Sequence, residues 1–307
     1  MENKSLETPI LMVIFNRPDK TRVVFEAIRK ARPKRLYFAA DGPRPHVPSD
    51  QEKCRETREI VKEVDWDCEV KTLFRDQNLK CGLAVSSAIS WFFEHETEGI
   101  ILEDDCLPSP SFFPYCQQLL ERYRDDSRVM HIGGNNFLNG WKNSDYSYYF
   151  SRNGHIWGWA TWRRAWKYFD FRISKFEELR DQGFFDRFFI SKFEKMYRMR
   201  IFERTARNRD HVTYWAYQWD FARWVNSGLA IVPCVNLVTN IGFGEDSTHT
   251  SNVRSTDANL KLEDIPMPLK HPPFVMRDMR SDRIYFDSFL KQRVVSRING
   301  LIPFGSK

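Results

Sequence analysis

The chain has 307 residues, 42% apolar and 29% charged, which is ordinary for a soluble globular protein able to bury a sizeable core. Its 47 Lys and Arg outnumber 41 Asp and Glu, and the net charge of +6 suits an anionic ligand such as a nucleotide, or an anionic membrane surface, but is too weak for a nucleic-acid binder. Apolar runs such as "ILMVIF" fall far short of the roughly 20 residues a membrane span needs, and "MENKSLETP" has no apolar signal-peptide core, so a cytoplasmic protein is expected, at most peripheral to the inner face of the membrane.

In chain order, "PILMVIFNR" reads as a buried strand ending at Asn16 and Arg17. "PDKTRVVFEAIRKA" follows as a helix with Val23, Val24, Ala27 and Ile28 in helical spacing. "RLYFAADG" is a second strand, stopped by Asp41, Gly42 and the turn "PRPHVP". A charged helix is expected from about Gln51 to Val64, then a strand around "EVKTLFRD". The helix "GLAVSSAISWFFEHE" gathers Val85, Ala88, Ile89, Phe92 and Phe93 on one side, and the strand "GIILEDD" comes after it. Strands alternating with helices imply right-handed crossovers and an α/β, mostly parallel sheet, with ligands bound at strand C-termini near a topological switch point. Asn16, Arg17, Asp41, Arg75 and Glu103 to Asp105 all fall at such ends, and together they describe a site.

Beyond residue 110 the pattern changes. "PSFFPYCQQLLERYRDD" is a helix, "VMHIGGNNF" a strand and turn, and "SYYFSRNGHIWGWATWRRAWKYF" an aromatic strand and loop entering a helix. Phe176 to Arg209 is a charged helical stretch with Gly183 as its break; "TYWAYQWDFARWVNSG" is a helix and "LAIVPCVNLVTNIG" short strands. After the polar loop "FGEDSTHTSNVRS" the tail alternates "PMPLKHPP" with the basic amphipathic "RIYFDSFLKQRVVSRI", expected to pack on the body, with membrane-surface or subunit contact as the other reading. The expected organisation is residues 1–250 as the main domain, halved at 106 and 107 into nucleotide-binding and acceptor parts, with 251–307 as a helical extension. Six scattered cysteines indicate neither a zinc site nor a disulfide framework.

The run Glu103-Asp104-Asp105 carries the chemistry. On an extended strand end Glu103 and Asp105 point one way and Asp104 the other. Carboxylates crowded and half buried resist ionisation unless a cation compensates. Mg²⁺ or Mn²⁺ suits such all-oxygen ligands, keeping one or two carboxylates, waters and substrate phosphates in its shell, and it neutralises charge on a departing nucleotide.

The acidic run with its following "CLPSPSFFPYC", the opening "PILMVIFNR", "FAADG", "IGGNNFLNG", "GHIWGWATWRRAW" and "YWAYQWDFARW" resemble, in order from about Pro9 to Gly244, the GT-A fold glycosyltransferases of the N-acetylglucosaminyltransferase I family. The resemblance implies a Rossmann-like sheet flanked by helices, and a metal-dependent, inverting transfer from a UDP sugar to a glycan or lipid-linked acceptor, as in surface-polysaccharide synthesis. It implies that Asp105 holds the metal, that Glu103 and Asp104 contact ribose or metal-bound water, that Asp41 reads uracil, that Arg17 lies near the nucleotide, and that Asp220 is the base. Independently, Trp215, Tyr217, Trp219, Phe221 and Trp224 would desolvate Asp220 and strengthen it as a base, while Arg223 could instead satisfy it. His249 in "GEDSTHT" is a candidate metal or diphosphate ligand, or a plain loop histidine, and Glu245 and Asp246 share the ambiguity. Trp157, Trp159 and Trp162 are either an acceptor-sugar platform or packing, and Asn135 and Asn136 either ligand contacts or turn formers. The rival activities are a nucleotidyltransferase, which would be expected to have a Gly-rich loop where "NRPDKTR" has none, and a non-catalytic carbohydrate- or membrane-binding module.

Overall fold

A computed structural model describes residues 5–138, 141, 144–208, 213–243 and 260–289. Strand β1 (Ile10–Ile14) leads into α1 (Pro18–Ala31), β2 (Arg35–Ala40), α2 (Pro48–Glu59) with a 3-10 turn at Ile60–Glu63, β3 (Glu69–Phe74), α3 (Lys80–His95) and β4 (Glu98–Glu103). There follow β5 (Cys106–Pro108), α4 (Phe112–Arg122), β6 (Val129–Gly133), β7 (Tyr148–Ser151), β8 (Trp159–Trp162) and α5 (Arg163–Trp166). The chain continues through α6 (Phe176–Asp181), α7 (Lys192–Arg207), α8 (Ala216–Val225), β9 (Leu229–Pro233) and β10 (Val238–Asn240).

Local chemistry explains the boundaries. Proline opens α1 and α2, where its missing N–H costs nothing, and α1 closes on Arg32 in the left-handed region at φ 48°. α7 opens on a serine N-cap: the Ser191 hydroxyl accepts from the Glu194 N–H at 3.1 Å. The charged stretch breaks into α6 and α7 as expected near Gly183, at φ +71°.

The larger sheet has the order β3-β2-β1-β4-β8-β6-β9-β7. β3, β2, β1 and β4 pair in parallel, β8 is antiparallel to both β4 and β6, β6 and β9 are parallel, and β7 is antiparallel to β9. Helices cover both faces, as the period-2 alternation of β1 requires. Ile10, Met12 and Ile14 pack with α1 and α4, whereas Leu11 packs with α3, Trp166 of α5 and α8. On α3 the predicted stripe of Val85, Ala88, Ile89, Phe92 and Phe93 is all buried, but on α1 Val23 is exposed and Phe25 takes its place in the core.

In the second half, β6 to β9 extend the same sheet, while β5 and β10 pair in a small antiparallel one. The tail also joins the body: Ile265, Leu269 and Phe286 are buried, and Ser147 donates its N–H to the Lys270 carbonyl at 2.8 Å. Residues 279–289 are helical. No helix among the described residues is long and apolar enough to cross a membrane.

Candidate active site

Strand order places the switch point between β1 and β4, because β1 leads on one side to β2 and β3 and on the other to β4. Val13 lies opposite Glu103 in register, so the acidic run leaves β4 beside the end of β1. Here the structure corrects the expected alternation. β4 ends at Glu103, and Asp104 and Asp105 form a turn into β5, so both aspartates face the β1 exit. Asp104 accepts the Phe15 N–H at 3.2 Å and lies 3.6 Å from Arg17, whose Nη1 donates to Asp105 at 2.8 Å.

Asp105 is held from behind. The Ile241 N–H donates to its carbonyl at 2.8 Å where β5 pairs with β10 in the small antiparallel sheet. Gly242 is required at this crossing, since a Cβ there would sit 2.1 Å from an Asp105 carboxylate oxygen.

Three carboxylates face one close guanidinium, leaving two negative charges uncompensated locally. Burial, with Asp105 and Asp104 adding repulsion, pushes Glu103 up to about 8, and burial and Asp105 push Asp104 up to about 7. That donor set fits a hard divalent cation held by one or two carboxylates, with phosphate and water completing its shell. Among the described residues no three His, Cys, Asp or Glu side chains are grouped to hold an ion unaided.

The run opens on a cavity of about 580 Å³ that also receives Arg17, Asp41 and Arg75. Asp41 is an anchor there: it accepts the N–H groups of Gly42 and Leu79, at 3.0 and 2.9 Å, and Asn78 Nδ2 at 3.0 Å. Burial dominates and raises its pKa despite these bonds. Arg75 donates to Ser87 at 2.9 Å, and its burial favours the neutral form. Asn16 turns toward α2, donating to Asp50 at 2.7 Å, and does not line the cavity.

Arg44, Asn78 and Lys80, none of them a candidate from the sequence, line the same cavity: Arg44 and Asn78 from the loops after β2 and β3, Lys80 from the start of α3. Arg44 pairs with Asp50 at 2.5 Å and lies 5.6 Å above the Phe15 ring. Asn78 and Lys80 stand just before the stretch "GLAVSSAISWFFEHE", and Lys80, at φ 66°, makes the turn into that helix.

A second cavity of about 280 Å³ adjoins the first, and Ile156, Trp157 and Ala216 line both. It holds Asp220, Arg198, His155 and Tyr217, closed by Tyr285 and Phe289 from the tail. Asp220 is not enclosed by rings alone, as expected from its neighbours. Its oxygens meet Arg223, which donates to Oδ1, and Arg198 at 3.7 Å, so the arginine partner foreseen as the alternative is realised.

Trp157 stands at the junction of the two cavities. Trp159 does not: it has no exposed surface and stacks on His131 and Trp215 at 4.9 and 5.6 Å, which makes it core rather than a sugar platform. Trp162 is likewise core, donating to the Leu120 carbonyl at 3.1 Å. Asn135 is fully buried and donates to the Val238 carbonyl at 2.8 Å, which ties the β6 turn to β10 and removes it from any acceptor. Asn136 is also interior, donating to the Pro233 carbonyl at 2.7 Å. His249, Glu245 and Asp246 lie outside the described residues.

No family model matches the chain and no curated protein matches it. Among solved structures it is similar to mouse xyloside xylosyltransferase 1 in its apo form, at 11% identity over 71% of this chain and 81% of that one, TM-score 0.33. It is also similar to HddC from Yersinia pseudotuberculosis, at 10% identity over 51% and 77%, TM-score 0.32. A third likeness is to the inositol-1-phosphate CTP transferase of T. maritima, at 10% identity over 53% and 74%, TM-score 0.33. At such TM-scores these likenesses carry no argument about activity.

Proposed function

We propose that the chain is a GT-A type glycosyltransferase that takes a nucleoside-diphosphate sugar, a UDP sugar by the resemblance of its motifs, and passes the sugar to a glycan or lipid-linked acceptor. The observation that carries this reading is the under-compensated acidic run at the β1/β4 switch point, open to a cavity of nucleotide-sugar size beside a smaller aromatic one. Asp105, with Glu103, would hold Mn²⁺ or Mg²⁺. Bound there, the ion would neutralise charge on the leaving diphosphate.

The chain's own residues divide the remaining work. Arg17 exchanges its bond to Asp105 for the diphosphate, Asp41 and Asn78 shape the base end, and Trp157 separates donor from acceptor. Asp220, as base in an inverting displacement, accepts the acceptor hydroxyl proton once that hydroxyl displaces Arg198. The glycine-free loop Phe15–Pro18 speaks against nucleotidyl transfer.

The test is calorimetric titration of UDP with Mn²⁺, with EDTA, and in Asp105→Ala. Binding that needs both metal and Asp105 is the expected result. Failure of UDP, GDP and dTDP to bind the wild type in Mn²⁺ would leave a non-catalytic binding module.

A further inference from the structure

In the wall of the smaller cavity a single carboxylate, Asp220, is shared by two buried guanidiniums. Four arginines form one electrostatic neighbourhood beside it, Arg152 after β7, Arg198 on α7, Arg223 on α8 and Arg277 in the tail, and of these Arg198 lines the cavity. Three carboxylates answer them. Arg152 donates to Glu194, and Arg277 pairs with Asp282 at 2.5 Å. Asp220 is left to serve both Arg223, in direct contact, and Arg198, at 3.7 Å. One carboxylate thus serves two buried guanidiniums, and Arg198, at the longer distance, is the one that lines the cavity.

Arg198 is only 7% exposed, and that exposure is to the cavity it lines. Its Nη2 donates to Asn153 at 3.1 Å and its guanidinium lies 5.0 Å above Trp224, while its Nε has no hydrogen-bond partner. A buried guanidinium with an unmet donor and half a counter-ion is costly unless a ligand supplies the missing charge. The walls say what else that ligand carries. Phe137, Trp157, Tyr217 and Tyr285 line it, rings of the kind that suit the C–H face of a pyranose, and Asp220 is an acceptor for sugar hydroxyls. At about 280 Å³ the cavity takes one sugar ring and its substituent.

We propose that this cavity selects an acceptor sugar bearing an anionic group, a carboxylate or a phosphate ester, which Arg198 recognises. The proposal rests on the transferase reading for the word acceptor, and on the geometry alone for the anionic sugar.

The test measures binding of glucuronate, glucose 6-phosphate and glucose to the full chain by saturation-transfer NMR, with UDP titrated separately. The expected result is that at least one anionic sugar binds about tenfold or more tighter than glucose, the worth of one charge-assisted contact. Which of the two leads separates carboxylate from phosphate. Arg198→Gln should abolish the preference and Arg198→Lys keep part of it. Equal binding of all three sugars, or a preference that survives in folded Arg198→Gln, overturns the proposal. Should that variant not fold, the wild-type preference together with Arg198→Lys decides. An anionic preference without binding of UDP, GDP or dTDP in Mn²⁺ would support the pocket and retire only the transferase reading, whereas nucleotide binding without the preference would retire only the pocket.

Discussion

Asp41 shows how a residue at a strand end can serve two purposes. By accepting from Gly42, Leu79 and Asn78 it fixes the loop that carries Asn78, and the start of α3 at Lys80, to the larger cavity. Asp41→Ala strands buried donors and should cost roughly 1–3 kcal/mol in urea unfolding, with weaker UDP binding; unchanged stability would show that the loop holds itself. His155 gives a pH signature. Burial first, then the charges of Arg223 and Arg198, holds it down to about 3 from an ordinary 6.5. Between those values the unfolded chain takes up the proton and the folded chain does not, so this histidine costs stability as pH falls through the window. His155→Gln should accordingly gain on wild type from pH 6.5 toward 3, read by urea unfolding at matched pH; parallel curves would exclude it. At this scale the acidic run, Asp41 and Arg75 were legible because strand ends announce themselves. Trp157 and Trp159 were not separable, since "WGW" fits a platform and a core equally until β8 shows which ring turns inward.

At the scale of elements, α7 depends on one carboxylate. Glu194 reaches back past the Ser191 cap to accept the Ile190 N–H at 2.9 Å and also neutralises buried Arg152. Glu194→Ala should therefore cost about 3–5 kcal/mol, against about 1 kcal/mol for Ser191→Ala, measured by chemical denaturation. Similar small losses for both would mean that Arg152 finds another partner. Gly242→Ala acts elsewhere: its Cβ would displace Asp105, so UDP binding in Mn²⁺ should weaken more than folding does. Helices were legible from their apolar spacing and proline openings, as in α1 and α3. The turn at Asp104 was not, because alternation assumes the strand continues, and only the pairing of β5 with β10 stops it.

For the whole molecule, bound donor should report as stability. UDP with Mn²⁺ at about 100 times Kd should add roughly 2.7 kcal/mol, and EDTA should remove the gain; a Tm indifferent to both would contradict the metal-nucleotide site. The parallel half of the sheet was readable from alternation of strand and helix. The order β4-β8-β6-β9-β7 was not, because side-chain pattern shows that a strand is buried and leaves its neighbours unnamed.

The bond from Ile241 to the Asp105 carbonyl joins distant parts of the chain. A polypeptide emerging from the ribosome can form β1 to β4 early, yet cannot clamp the acidic turn until β10 has been made. Vectorial synthesis thus leaves the acidic turn as a late event, and a nascent fragment ending before Val238 would carry the acids without the pairing that shapes them.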